Sequence, residues 1–208
     1  MRTKSKGLVS IVMPCFNSEL TIKQAINSVI KQDYINWELI IVDDFSTDNS
    51  VSIIKSYLND RRIKLIRSEN NAGVAEARNK ALRESIGEFI CFLDADDFWI
   101  SNKLTLQLSI LNSGICDCVH SSYYRFSENH IKLRKCRAIV SYKDIQKNNF
   151  IGNLTGMYNC ERLGVFYQKD IGHEDYLMWL EIINKSRFSI GILEPLAFYR
   201  MQQNSLSS

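Results

Sequence analysis

The sequence predicts an α/β fold with a single, Rossmann-like, mostly parallel central sheet flanked by helices. Three observations predict it. Short apolar runs alternate with segments of helical apolar spacing along the first half of the 208 residues. The runs are almost continuously apolar, as strands buried on both faces must be. Two of them end in carboxylates, Asp43-Asp44 and Asp94-Ala95-Asp96-Asp97. Those are the strand ends outside which open parallel sheets bind ligands.

Each element has its own signal. Residues 9–13 form a first strand, closed by Pro14. Residues 20–30 form a helix on the spacing of Ile22, Ala25, Ile26, Val29 and Ile30. Residues 38–42 form a strand that ends at Asp43. Asp48 or Asn49 N-caps a helix through Leu58, with Val51, Ile54 and Leu58 on one face. Residues 63–66 are a short strand. Residues 74–86 are a helix carrying Ala75, Ala77, Ala81, Leu82 and Ile86, stopped by Gly87. Five apolar residues from Phe89 to Leu93 make a buried strand, and residues 103–111 a further helix. The pattern then weakens. Strands are expected at 119–126 and 131–140, around the turn Ser127-Glu128-Asn129. A short helix follows at 142–147, irregular chain at 148–172, a helix at 174–184 and a last strand at 188–193, before Pro195. No linker interrupts the chain, so it reads as one domain, 1–208. Its binding half covers about residues 8–113 and its loop-rich half about 114–208.

Composition narrows the function. Hydrophobic residues make up 45% and charged residues 24%, as in ordinary globular proteins. A net charge of +3 is too small to argue for nucleic acid. It does not oppose contact with an anionic membrane surface. No apolar run reaches the length of a bilayer span. The basic start with Arg2, Lys4 and Lys6 leads into a strand rather than a signal peptide. The six cysteines lack a zinc pattern, and free thiols in a reducing cytosol are the simplest reading. His120, His130, Trp37 and Trp99 are expected to be structural or solvated, and the basic residues at 132–137 to be a solvated strand face.

The carboxylates carry the chemistry. Three acids within four positions raise the cost of ionising one another. A hard divalent cation relieves that cost by bridging one or two carboxylates to a substrate phosphate. The alternative is an Asp-rich turn that caps the next helix. Two acidic turns aligned on one sheet edge favour the metal–phosphate reading over either turn alone. The fingerprints G-x-G-x-x-G and G-x-x-x-x-G-K-[ST] are absent, which disfavours a dehydrogenase or a P-loop enzyme.

Several motifs together resemble the inverting glycosyltransferases of family 2. They are Val9 through Asn17, Ile41-Val42-Asp43-Asp44-Phe45-Ser46-Thr47-Asp48, Gly73 through Asn79, Gly87-Glu88-Phe89-Ile90 and Leu93 through Asp97. His173-Glu174-Asp175-Tyr176, Trp179-Leu180, Tyr199-Arg200 and Ser205-Leu206-Ser207 complete the series. The likeness runs from about Leu8 to Ser208. It is strongest to bacterial enzymes of O-antigen, capsule, lipopolysaccharide or teichuronic-type polysaccharide synthesis.

The resemblance implies a GT-A fold, a UDP-sugar donor and a divalent metal, Mn2+ or Mg2+, on the Asp-x-Asp motif. It implies that Pro14, Phe16 and Asn17 line the base pocket, with Phe16 against the ring, and that Asp44 contacts the uracil. Arg78 lies near the nucleotide or its phosphates. Asp94, with Ala95, faces the ribose or the metal shell. Asp96 ligates the metal. Asp175 is the general base. The acceptor is a saccharide, expected to be lipid-linked, at the inner face of the cytoplasmic membrane. Peripheral membrane contact is part of that expectation, and a nucleic-acid partner is not.

Several of these residues keep a plainer reading. Asp175 is otherwise an acid in the first turn of a helix, where the dipole favours it. Trp179 either stacks on a sugar or fills the pocket wall. His173 and Glu174 belong to the acceptor side. Arg200 reaches the diphosphate or pairs with a surface carboxylate. Asp97 is assigned to helix capping. Phe45 departs from the glycine common in the family, and the chain stops at Ser208, where many relatives continue. Two rivals remain: a nucleotidyltransferase of similar fold, which needs a Gly-rich basic loop that residues 14–17 lack, and a non-catalytic nucleotide- or saccharide-binding module.

Overall fold

The computed structural model describes residues 4–201. The expected segment Ser205-Leu206-Ser207 and the basic residue Arg2 lie outside the described residues.

Four strands build the parallel part of the sheet: β1 (Ser5–Cys15), β2 (Trp37–Asp43), β3 (Ile63–Arg67) and β4 (Gly87–Phe92). They pair in the order β3-β2-β1-β4, all parallel. Their alternate residues feed two cores. Val9, Ile11 and Met13 face α1 (Ile22–Ile30), α2 (Ser50–Lys55) and α4 (Lys103–Asn112). Val12, Ile40 and Phe92 face α3 (Val74–Glu84) and α7 (Glu174–Ser186). Both faces are therefore covered, and the runs are apolar without alternation. Burying each large aliphatic side chain contributes roughly 1.5–3 kcal/mol.

The second half extends the same sheet. β6 (Cys118–Phe126) and β10 (Phe188–Arg200) pair in parallel. The remaining pairs are antiparallel: β9 (Met157–Asn159) with β4 and β6, β5 (Phe98–Trp99) and β8 (Ile139–Ser141) with β10, and β7 (Ile131–Arg134) with β6. The parallel character thus belongs to the first four strands and the β6–β10 pair, and the ten-stranded sheet as a whole is mixed.

Several boundaries differ from expectation for local reasons. The irregular stretch 148–172 holds β9 and α6 (Cys160–Leu163), each too short to show periodicity. The last strand continues through Pro195 to Arg200, with register shifts on both sides of the proline. Pro donates no ladder bond, and such irregularities are where a strand tolerates it. The expected strand at 131–140 is two pieces that pair with different neighbours. The helix expected through Leu58 ends at Lys55. Gly87 opens β4 instead of capping α3, and a Cβ there would sit 2.6 Å from the Leu8 carbonyl oxygen. The short helix α5 (Tyr142–Ile145) carries a full capping box between Ser141 and Asp144.

Candidate active site

The loops after β1 and β2 are stitched together. The Asn17 N–H donates to Ser46 Oγ at 3.0 Å, and the Thr47 N–H donates to Asn17 Oδ1 at 2.9 Å. The Glu19 N–H donates to Asp48 Oδ2, and the Asn49 N–H donates to Glu19 Oε2. Pro14 is buried opposite Val42, while Phe16 is 48% exposed at the rim. Phe45 has φ 69°, so the turn keeps the left-handed conformation that glycine adopts freely and a bulky residue adopts at a cost of about 1–2 kcal/mol. The buried carboxylate of Asp44 accepts from the N–H groups of Ala72 and Gly73, the latter at 2.7 Å. It anchors the start of α3, so both of its oxygens are already engaged by backbone N–H groups.

Arg78 on α3 gathers the other motifs. Its guanidinium is buried. Nη2 donates to both oxygens of Asp94, at 2.8 and 3.0 Å. Nη1 donates to Gln168 Oε1 at 3.0 Å and to Glu174 Oε1 at 3.2 Å. Burial alone would lower its pKa. The charge and hydrogen bonds of Asp94, with the charges of Glu174 and Asp175, outweigh that and raise it. The fork of one arginine therefore ties the end of β4 to the start of α7, across up to 96 residues of sequence.

The acidic turn after β4 divides into distinct roles. Asp94 is bonded to Arg78. Asp96 is half-buried, and its carboxyl is pushed up to about 6 by burial and then by the Asp94 charge. Asp97 is buried and caps no helix, because β5 intervenes before α4. Its Oδ1 instead accepts from the Arg200 N–H at 2.8 Å, and burial raises its pKa well above the ordinary value. Among the described residues the Arg200 side chain pairs with no surface carboxylate: Nε donates to the Asp96 carbonyl at 2.9 Å and Nη2 to Gln24 Oε1 at 2.6 Å. Ala95 is buried between the two acids.

At the start of α7, His173 is exposed at φ 55° and supplies no side-chain cap. Glu174 bonds Arg78. The Asp175 carboxylate accepts from the Tyr176 N–H at 2.8 Å. Burial raises its pKa, Arg78 opposes that, and Glu174 and Asp94 add to it. Trp179 is fully buried against Phe92 and Tyr158, edge to face, so it is a core residue and not a sugar platform. Its spacing one turn from Asp175 puts it on the inner face of α7.

Residues 10–170 match the model of the family described as "Glycosyl transferase family 2". The chain belongs to glycosyl transferase family 2. It is 39% identical to the Escherichia coli UDP-Glc:alpha-D-GlcNAc-diphosphoundecaprenol beta-1,3-glucosyltransferase WfgD, over 97% of this chain and 80% of that one. It is 36% identical to the putative teichuronic acid biosynthesis glycosyltransferase TuaG of Bacillus subtilis, over 99% and 84%. The fold superposes on S. aureus TarS in complex with UDP-GlcNAc with a TM-score of 0.82, at 22% identity over 95% of this chain. The chain spans about three-fifths of that structure's length. These matches make the protein a glycosyltransferase of GT-A type, with a single-sheet α/β core.

For this glycosyltransferase the residues suit a phosphate-bridged cation. Among the described residues no cluster of three or more His, Cys, Asp or Glu side chains is arranged to hold a metal alone. A hard cation that takes most of its oxygens from phosphates and water needs no such cluster. Asp96 offers a carboxylate whose ionisation is held back by burial and Asp94, and a cation there would relieve both.

Two residues of the site were not legible beforehand. Gln168 accepts from Arg78 and exchanges backbone hydrogen bonds with the Asn79 side chain in both directions. It lies in a stretch without periodicity, and no local signal marks it. Asp97 was visible as an acid, but its partner Arg200 is 103 residues away.

Proposed function

We propose that the protein is an inverting, metal-dependent glycosyltransferase. It moves a hexose or N-acetylhexosamine from a UDP-sugar to a hydroxyl of a lipid-linked saccharide, in the synthesis of a bacterial surface polysaccharide. The observation that carries this reading is the Arg78 fork. It holds Asp94, beside the metal-facing Asp96, against Glu174, beside the base candidate Asp175. Leaving-group and nucleophile machinery therefore meet at one arginine. The relatives' names support the donor, the lipid diphosphate acceptor and inversion, because UDP-glucose carries its sugar in α linkage and WfgD is named for a β product. The same reading puts the protein at the inner face of the cytoplasmic membrane.

The base lies over Phe16, with Pro14, Asn17 and the Asp44 floor around it. Asp96 would hold Mn2+ or Mg2+, which would neutralise charge on the departing diphosphate. Asp94, fixed by Arg78, faces the ribose side. Asp175 accepts the proton of the acceptor hydroxyl. That oxygen bonds to the anomeric carbon from the face opposite the diphosphate, the bond to UDP breaks, and the proton remains on Asp175. The raised pKa of Asp175 makes it a stronger base than a free aspartate. His173 and Glu174 border the acceptor.

Calorimetry with UDP, with and without Mn2+, run on the parent and on Asp175→Asn, tests the scheme. The parent is expected to bind UDP only with metal. The variant is expected to bind it equally well while losing about 10²–10⁴-fold in kcat. Metal-independent UDP binding removes the cation from the scheme. Parent-rate transfer by Asp175→Asn removes the base.

A further inference from the structure

A groove of about 530 Å³ opens between α1 and the strand β5, beside the site but outside it. Lys23, Gln24, Asn27, Lys31 and Ser101 line it, with Leu20 at its lip. No carboxylate lines it. Lys23, Asn27 and Lys31 fall at i, i+4 and i+8, one stripe about 12 Å long. Neither lysine pairs with another side chain among the described residues. Lys31, at the C-cap, suits the helix dipole. Lys23 does not: it stands in the first turn, where a cation is unfavourable and where α1 has no acid. Its position is unexplained by the helix itself.

The groove joins the active site through one residue. Arg200 donates from Nη2 to Gln24, on the groove wall, and from Nε to the carbonyl of Asp96. A basic track of Arg200, Lys23 and Lys31 therefore leads away from the acidic turn. Leu20, at the same end, is 92% exposed.

We infer that this groove binds the diphosphate of the lipid-linked acceptor, with Lys23 and Lys31 as specificity-determining contacts and Leu20 beside the first lipid carbons. The inference rests on the proposed acceptor class. Charge argues for that occupant: a doubly charged diphosphate meets two unpaired ammonium groups in a groove whose lining has no acid. In the proposed scheme the donor's own diphosphate would sit at Asp96 through a bridging cation, so the two diphosphates would occupy separate places.

The test uses the double variant Lys23→Ala/Lys31→Ala, with UDP and Mn2+ saturating the donor site. Binding of farnesyl diphosphate, farnesol and inorganic diphosphate is measured by calorimetry. Farnesyl diphosphate is expected to bind the parent and to lose on the order of tenfold in affinity in the variant, with farnesol weak to both. In turnover, KM is expected to rise by a similar factor for a prenyl-diphosphate saccharide and to stay level for the same saccharide as an alkyl glycoside. Equal binding by parent and variant overturns the inference. So does inorganic diphosphate binding as tightly as the prenyl form, which would make the groove a free-phosphate site, or a loss seen only on anionic vesicles, which would make it a membrane-surface contact. If the parent turns over neither acceptor, the proposed function fails, and the farnesyl diphosphate arm still decides the groove.

Discussion

Arg78 concentrates the site's energetics in one side chain. Its buried guanidinium spans Asp94, Gln168 and Glu174 at once, which uses the planar fork and not merely the charge. A lysine at this position keeps the charge but cannot span all three. Arg78→Lys is therefore expected to lose about 1–3 kcal/mol of stability and about 10²-fold in kcat, because Asp94 and Glu174 lose their common anchor. Urea unfolding and steady-state kinetics check both. Unchanged kcat with lowered stability would make Arg78 a structural residue only. The arginine was legible in the sequence as part of Gly73 through Asn79. Its partners were legible one by one, but Gln168 was not, because nothing within residues 148–172 marks a side chain that closes on α3.

Among the elements, α7 places Glu174 and Asp175 through its packing. Trp179 lies against Gly156, where a Cβ would fall 2.2 Å from the indole ring. That approach lets α7 dock on β4 and β6 and carries Glu174 and Asp175, one turn earlier, to Arg78. Gly156→Ala is expected to push the helix outward, costing about 1–3 kcal/mol by overpacking and lowering kcat with the affinity for UDP kept. Thermal melts, UDP titration and kinetics separate these effects, and an unchanged kcat would uncouple the tryptophan from the site. The periodicity of α7 was plain in the sequence, as were β1 to β4 with their helices, because each buries a long regular face. The pieces β5 and β9 were not, since two or three residues carry no period, and β8 was legible only as the end of one strand with β7. Trp179 was open between two roles for a related reason: spacing along a helix states which face a residue shares, and only tertiary packing states whether that face is inward.

Across the molecule, the two cores on either side of the sheet explain why the first half was more readable than the second. The parallel strands are buried on both faces and advertise themselves, whereas the antiparallel additions are held by long-range pairing. One core also contains a charge-bearing group that the apolar pattern does not announce. Lys103 on α4 is fully buried, with its ammonium over the Trp99 ring at 4.2 Å and bonded to Gln107. Among the described residues no carboxylate joins it, and burial lowers its pKa from 10.5 to about 8. The unfolded chain therefore binds more protons between pH 8 and pH 10.5, so this group makes stability rise with pH across that window. Below pH 8 both states are charged, and the folded state bears the full cost of the buried ammonium. The difference amounts to roughly 3 kcal/mol. Lys103→Met, which keeps most of the volume, is expected to be more stable than the parent near neutral pH and to lose that advantage as pH approaches 10.5. Denaturant unfolding of both proteins at pH 7, 8, 9 and 10 measures the difference. A gap that stays constant from pH 7 to pH 10 would mean that the lysine keeps its proton throughout, and that Gln107 and the Trp99 ring stabilise the ammonium as well as water does.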